Sequence, residues 1–179
     1  PSPVPAMRQL PAFLMCAVVA ACSSGDGHVP IASAAALPRP AGGIEVPPGD
    51  GLQQAIDAAV PGAVLVLQAG DYRGPFVIGK SLRIWGPPAA VLRATEGSTV
   101  RVLADDVALE GFTIAGSGQR FDLTEGGVHL QGRDLRIEGV TVRDALFGIL
   151  VEKCTRAIVR GNTVMGTGLP AMGLRGDGI

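Results

Sequence analysis

The chain has 179 residues, and its formal net charge is only −1, which argues against a nucleic-acid-binding surface. Glycine occurs 26 times and aromatic residues make up 4% of the chain. This composition suits many tight corners around a slim aliphatic core. Three cysteines, Cys16, Cys22 and Cys154, do not indicate a disulfide framework.

Arginine is far more frequent than lysine, with 13 residues against 2. The simpler interpretation is a bias in coding composition. The alternative is that some of these arginines line a groove for an anionic ligand.

The N-terminal segment has the pattern of a bacterial lipoprotein signal. Arg8 precedes an apolar run, Phe13 to Ala21, that is too short to span a membrane stably. Small residues lead directly to Cys22, so we predict a signal peptide over residues 1–22, with Cys22 as the lipidated residue. The protein is then expected in the periplasm, lipid-anchored to a bacterial membrane. The alternative is an ordinary signal peptide that is cleaved near Ala34 to Ala36.

Residues 23–43 are rich in glycine, alanine, serine and proline, and they predict a flexible linker. The pattern from Leu52 to Ala59 predicts a short helix, with Asp50 as its N-terminal cap, Gln53 in a capping box and Pro61-Gly62 at its end. We expect this helix to close one end of the fold. Further predictions are a corner at Ala69 to Pro75 and strands at Val64–Leu67, Pro75–Ile78, Ser81–Ile84 and Ala89–Leu92.

One short pattern occurs three times, at residues 107–114, 135–142 and 157–164. Apolar residues alternate within each copy, and the phase slips by one residue at a central glycine, which predicts two strands joined at a corner. Further strands, Val128–Leu130 and Phe147–Val151, lie between the copies. The sequence therefore predicts an all-β fold, a right-handed parallel β-helix over residues 44–179 with about 22–28 residues per coil. No capping pattern follows the last coil, so we expect a chain truncated at its C-terminus.

Several segments resemble the NosD family of periplasmic proteins. They are Leu52 to Gly62, Gly70 to Ile78, Lys80 to Gly86, the coils that follow, and Arg175 to Ile179. The resemblance implies a non-enzymatic accessory protein that works with an ABC transporter in the maturation of nitrous-oxide reductase, and it makes copper a possible cofactor. Two departures are a chain about half the usual length and a signal of the lipoprotein type.

A rival hypothesis is a polysaccharide-binding protein or a uronate lyase or hydrolase relative. Its candidate residues are the carboxylates Asp105, Asp106, Glu110, Asp122, Glu125 and Asp134. Glu110 and Glu138 occupy equivalent repeat positions, close enough in principle for glycoside chemistry. The third copy has Arg160 there, so this column is interpreted more simply as a solvated charge ladder, and no catalytic residue is assigned.

The candidate metal ligands are the soft or nitrogen donors Met165, Met172, Cys154 and His129, which would suit Cu(I). They show no paired spacing. The insertion from Gly116 to Gly127 carries Arg120, Asp122 and Glu125. Because insertions in solenoids lie on one face and often bind, this loop is the predicted ligand or partner surface.

Overall fold

The computed structural model describes residues 37–168 and 178–179, so the predicted signal peptide with Cys22 lies outside the described residues, as does Met172. Within them the chain forms fifteen strands, one α-helix and one 3-10 turn at Phe121–Leu123. No helix among these residues is long and apolar enough to cross a membrane. In chain order the elements are β1 (Ile44–Val46), α1 (Leu52–Ala58), β2 (Ala63–Leu67), β3 (Gly70–Arg73), β4 (Phe76–Ile78), β5 (Leu82–Trp85), β6 (Ala90–Arg93), β7 (Val100–Leu103), β8 (Ala108–Glu110), β9 (Thr113–Ala115), β10 (Gly126–Arg133), β11 (Arg136–Glu138), β12 (Thr141–Ala145), β13 (Phe147–Thr155), β14 (Ile158–Arg160) and β15 (Thr163–Gly166).

The strands form three parallel sheets, and each turn of the chain adds one strand to each sheet. Sheet A has the order β1-β2-β5-β8-β11-β14, sheet B the order β3-β6-β9-β12-β15, and sheet C the order β4-β7-β10-β13. Every described strand pair is parallel. This arrangement confirms the predicted parallel β-helix, and right-handed crossovers are the rule for parallel connections of this kind.

The core is built from columns of stacked, mostly aliphatic side chains, and each coil adds one residue to a column. In sheet A, Leu65 pairs with Ile84, Ile84 with Leu109, and Leu109 with Ile137. All four are at most 2% exposed. Because strands of neighbouring coils lie about 4.8 Å apart, each side chain fills the space above the one below it. The repeated apolar pattern of the sequence therefore produces this buried column.

The central glycines of the three copies lie at the corner between sheets A and B, as predicted. Gly111, Gly139 and Gly161 have positive φ values of 84°, 64° and 62°. Their main chains also stack, because Gly111 N–H donates to Glu138 O and Gly139 N–H donates to Arg160 O. At Gly111 an added Cβ would lie 2.6 Å from Gly86 O, so a side chain there would push adjacent coils apart.

Helix α1 closes the N-terminal end of the solenoid, with Leu52 and Ile56 buried in the core. Its predicted capping was wrong. Gly51 is the N-cap residue and no side chain caps the helix start, whereas Asp50 lies 3.6 Å from Arg73 in an ion pair. The carbonyl groups at the C-terminal end of α1 accept hydrogen bonds from a residue that is distant in the sequence, because Lys80 Nζ donates to the carbonyl oxygens of Asp57 and Ala59.

Gln53 does not form the predicted capping box but covers a strand edge. Its side-chain Oε1 accepts from Val77 N–H at 2.8 Å, and its Nε2 donates to Val77 O at 3.1 Å. Val77 lies on β4, the first strand of sheet C, so these two bonds replace the strand that a preceding coil would supply. The side-chain amide thus closes an edge that would otherwise be open for pairing with another chain.

The predicted corner at Ala69 to Pro75 contains a strand, β3, and that part of the prediction was wrong. Only Tyr72 of this strand points into the core, where it is 0% exposed. Its hydroxyl lies 2.8 Å from the carbonyl oxygens of both Val46 and Gln68, and burial raises the pKa of Tyr72. In the sequence this segment resembles a turn, because one inward tyrosine is surrounded by a glycine, an aspartate and an arginine. Parallel pairing with β6 nevertheless makes it a strand.

The described end of the predicted linker lies against sheet A. Leu37 O accepts a hydrogen bond of 3.3 Å from Trp85 Nε1, and the Leu37 side chain lies over Gly139. Arg39 and Glu45 form an ion pair. Residues 37–43 therefore run along the outer surface of the coils before β1 begins.

Replacing Gln53 with alanine should lower the free energy of unfolding by about 1 kcal/mol, because Val77 loses its hydrogen-bond partners at the strand edge. Urea unfolding followed by circular dichroism measures the loss, and hydrogen exchange should be faster at the Val77 amide. Gln68→Ala is the control, because Gln68 is exposed and its side chain bonds to no described residue. Equal stability of the two variants would contradict the edge-covering role.

Candidate functional site

The insertion from Gly116 to Gly127 is fixed to the coils on both sides of it. Thr99 Oγ1 donates to Gly116 O at 2.6 Å, and Gly118 N–H donates to Gly97 O at 2.7 Å. Gly126 N–H donates to Ser98 Oγ at 3.1 Å. Because several of these groups are buried, the insertion is held in a defined position beside sheet C.

A groove of about 380 Å³ lies between this insertion and the outer face of sheet C. We call it the sheet C groove, and its principal lining residues are Val77, Arg101, His129, Leu123 and Glu125. The first three come from the sheet and the last two from the insertion. The groove thus joins a rigid strand floor to a wall that the regular repeat does not provide.

Strand register brings the three floor residues into one column. Val77 pairs with Arg101, and Arg101 pairs with His129. All three alternate with buried neighbours and therefore point away from the core. His129 faces outward in this way, although its side chain is only 13% exposed.

His129 is oriented by a carboxylate on the neighbouring coil. Its Nε2 lies 3.0 Å from Glu152 Oε2, and Gln131 Nε2 donates to the same oxygen at 2.8 Å. Contacts with Lys153, His129 and Gln131, in that order, lower the pKa of Glu152 to about 2. Because an ionised carboxylate only accepts hydrogen bonds, His129 donates from Nε2 in this contact.

The three residues predicted as a ligand surface contact one another in the insertion. Arg120 forms a two-armed hydrogen bond with Asp122, with distances of 3.2 and 2.6 Å, and its main-chain N–H donates to Glu125 Oε2 at 3.0 Å. The arginine lowers the pKa of Asp122. Of the three, Glu125 also lines the sheet C groove, while Arg120 and Asp122 chiefly hold the shape of the loop.

The candidate copper ligands that the structure describes lie on two sheets. His129 and Cys154 lie on sheet C, and Met165 lies on sheet B. Cys154 is on β13, where it packs against the core and its Sγ lies 3.2 Å from Leu130 O. In the described part of the chain no group of three or more His, Cys, Asp or Glu residues could hold a metal ion. Because Met172 lies outside the described residues, the copper site stays a prediction.

Three of the six carboxylates considered for catalysis, Asp105, Glu110 and Asp134, are paired with an arginine from an adjacent coil. Arg133 donates from Nε and Nη2 to one oxygen of Asp105, and Arg156 donates from Nε and Nη2 to the two oxygens of Asp134. These hydrogen bonds lower the pKa of each aspartate. The pairing suits a structural charge ladder rather than a calcium or general-acid site, which would need free or protonated carboxyl groups.

The predicted register of Glu110, Glu138 and Arg160 is present, since Glu110 pairs with Glu138 and Glu138 with Arg160. The column is less solvated than predicted, because Glu110 is only 6% exposed. Arg83 lies 2.8 Å from Glu110, and Arg160 lies 2.5 Å from Glu138. The two glutamates therefore serve coil stacking, each with its own arginine.

Arg101 and Glu152 are the candidate residues that sequence reasoning missed. Arg101 lies between buried Val100 and Val102, so period-two alternation could have marked it as outward. Its position beside His129 depends on the register of coils separated by the insertion. That register is a property of the folded solenoid.

Stability between about pH 5 and pH 2 should depend on Glu152. Because its pKa is lower in the folded protein, its contribution is complete above about pH 5 and is lost as the pH falls towards 2. Glu152→Gln should therefore flatten the fall of unfolding free energy in this window. Glu96→Gln is the matched control, because Glu96 is exposed and forms no ion pair with a described residue. Identical acid profiles for the wild type and Glu152→Gln would refute the assignment.

The chain shares sequence similarity with a transporter-associated protein. No protein-family model matches it. The probable ABC transporter binding protein NosD of Stutzerimonas stutzeri is 28% identical over 116 residues, which cover 63% of this chain and 27% of that relative. A solved structure of a mutant of the PL6 family alginate lyase AlyGC gives a TM-score of 0.49 with 18% identity, over 75% of this chain and 22% of that one. The chain thus spans about a quarter of either protein. It is a parallel β-helix protein with a segment similar to NosD.

Proposed function

We propose that this chain belongs to an exported, non-enzymatic binding protein of the NosD type, which works with an ABC transporter in the maturation of nitrous-oxide reductase. The observation that carries the proposal is the 28% identity to NosD over 116 residues. The arginine pairing of Asp105, Asp134, Glu110 and Glu138 is in keeping with a binding role.

The proposal places the protein in the periplasm, attached to a membrane through lipidated Cys22. The small residues before Cys22 support this location. Stable attachment of a lipoprotein needs more than one acyl chain, which a fully modified N-terminal cysteine carries.

Carbohydrate binding is the second candidate function, and the sheet C groove favours it. The groove combines apolar walls at Val77 and Leu123 with polar groups at Arg101, His129 and Glu125. Such a mixture can hold the apolar faces and the polar substituents of sugars. Lyase or hydrolase chemistry is less favoured, because most of the candidate carboxylates are already in ion pairs.

Replacing Cys22 with serine should move the protein from the membrane fraction to the soluble periplasmic fraction. The acyl chains supply the membrane affinity, and serine cannot carry them through a thioether. Fractionation and metabolic labelling with palmitate measure the change. Cys16→Ser is the control, because Cys16 lies inside the apolar run of the predicted signal. Retention of label in Cys22→Ser would contradict lipidation at this residue.

Deletion of the gene in the strain of origin should leave nitrous-oxide reductase present but inactive. The maturation role requires the reductase to lack its copper–sulfide centre, so the purified enzyme should lose the visible absorption of that centre. Restoration by the wild-type gene controls for effects on neighbouring genes. A reductase with normal activity and spectrum in the deletion strain would rule out the maturation role.

A further inference from the structure

Arg101 differs from every other arginine of residues 37–168. Each of the others forms an ion pair with a carboxylate. Arg101 forms none with a described residue, and it is exposed on the outer face of sheet C. The bias in coding composition does not explain this difference, because the other arginines have the same origin but are paired.

The neighbours of Arg101 leave its charge available. In the adjacent coils the residues in register with it are Val77 and His129, and neither is a carboxylate. Glu125 lines the same groove, but one of its oxygens accepts from Arg120 N–H and it does not bridge to Arg101. A guanidinium in a formed groove, beside an imidazole and between apolar walls, is suited to a planar anion.

We propose that the sheet C groove binds an acidic glycan, with Arg101 as the ligand of a sugar carboxylate. The proposal rests on the second candidate function, carbohydrate binding at this groove, and it adds the charge class of the sugar and the residue that selects it. The glycan runs along the solenoid axis, past Val77, Arg101 and His129. Leu123 covers an apolar sugar face, and Glu125 has an oxygen left to accept from a hydroxyl group.

The groove floor favours a glycan over an acidic peptide. Extended peptides commonly dock by adding a strand to an exposed sheet edge, where main-chain groups are unpaired. Here β7 lies between β4 and β10, and Gln53 covers the outer edge of β4 at Val77. The floor therefore presents side chains rather than main-chain donors. Recognition by side chains suits a sugar polymer, whose carboxylates and hydroxyls lie along its length.

The test is calorimetric titration of the full-length protein with uronate tetramers at low salt. The panel contains galacturonate, mannuronate and guluronate tetramers, with fully methyl-esterified galacturonate tetramer as the uncharged match. We expect at least one uronate to bind. Arg101→Gln should weaken it about tenfold to a hundredfold, because a charge-assisted pair is lost. Arg101→Lys keeps the charge but not the two-armed geometry, so its affinity for the uronate should lie between those of the wild type and Arg101→Gln.

The control is Arg73→Gln, because Arg73 is an exposed arginine on sheet B whose only ion pair with a described residue is long, at 3.6 Å. It should bind as the wild type does, and circular dichroism should confirm that all variants are folded. Equal uronate affinity in Arg101→Gln would overturn the role of Arg101 and leave carbohydrate binding in place. Binding of the methyl-esterified tetramer alone would likewise overturn the role of Arg101 and leave carbohydrate binding in place. No binding by any sugar tetramer would overturn both the role of Arg101 and carbohydrate binding. Tetraglutamate is titrated alongside the sugars, and Arg101-dependent binding of tetraglutamate alone would replace the glycan with an acidic peptide.

Discussion

The stacking of each coil on equivalent residues of the next is the constraint on which the rest of this molecule depends. Parallel register places Leu109 over Ile84 and Ile137 over Leu109, so one buried position per coil builds a continuous core. The same register stacks the corner glycines, where the main chain of one coil donates to the next. A side chain at Gly111 would therefore disturb two coils at once, because its Cβ would lie against Gly86 O. The ends of such a stack need separate solutions, and Gln53 supplies one at β4.

The same constraint explains the charges on the surface. Residues in one column lie about 4.8 Å apart, so like charges would repel unless each had a counter-charge. Asp105 meets Arg133, and Asp134 meets Arg156, each pair joining adjacent coils. Glu110 and Glu138 are direct neighbours in register, and their repulsion is relieved by Arg83 and Arg160. Much of the high arginine content therefore has a structural use, and carboxylates that look catalytic in the sequence are part of the coil-to-coil packing.

The sequence predicts whatever the repeat itself specifies. Apolar alternation and the central glycines were enough to place the coils, because every copy contributes the same inward positions. Prediction failed where a residue acts on a distant part of the chain. Gln53 has a local capping pattern but bonds to Val77, and Lys80 reaches back to the end of α1. Tyr72 is the single inward residue of β3, so no alternation marks that strand, and its burial depends on β6 and on Val46 O.

The candidate site arises where the repeat is interrupted. In the regular part of the solenoid, an arginine has a carboxylate within reach on its own coil or on a neighbouring one. At the insertion the column changes to Val77, Arg101 and His129, and the stacked counter-charge is missing. The Arg101 guanidinium has no carboxylate partner in the part of the chain that the structure describes, so it adds no ion pair between coils there, while Thr99, Ser98 and Gly118 hold the adjoining wall in position. An exposed charge without a counter-charge, beside a wall held in position, is the feature on which the proposed binding site rests. The proposed binding face is therefore the outer face of sheet C, whichever partner or polymer the whole protein serves.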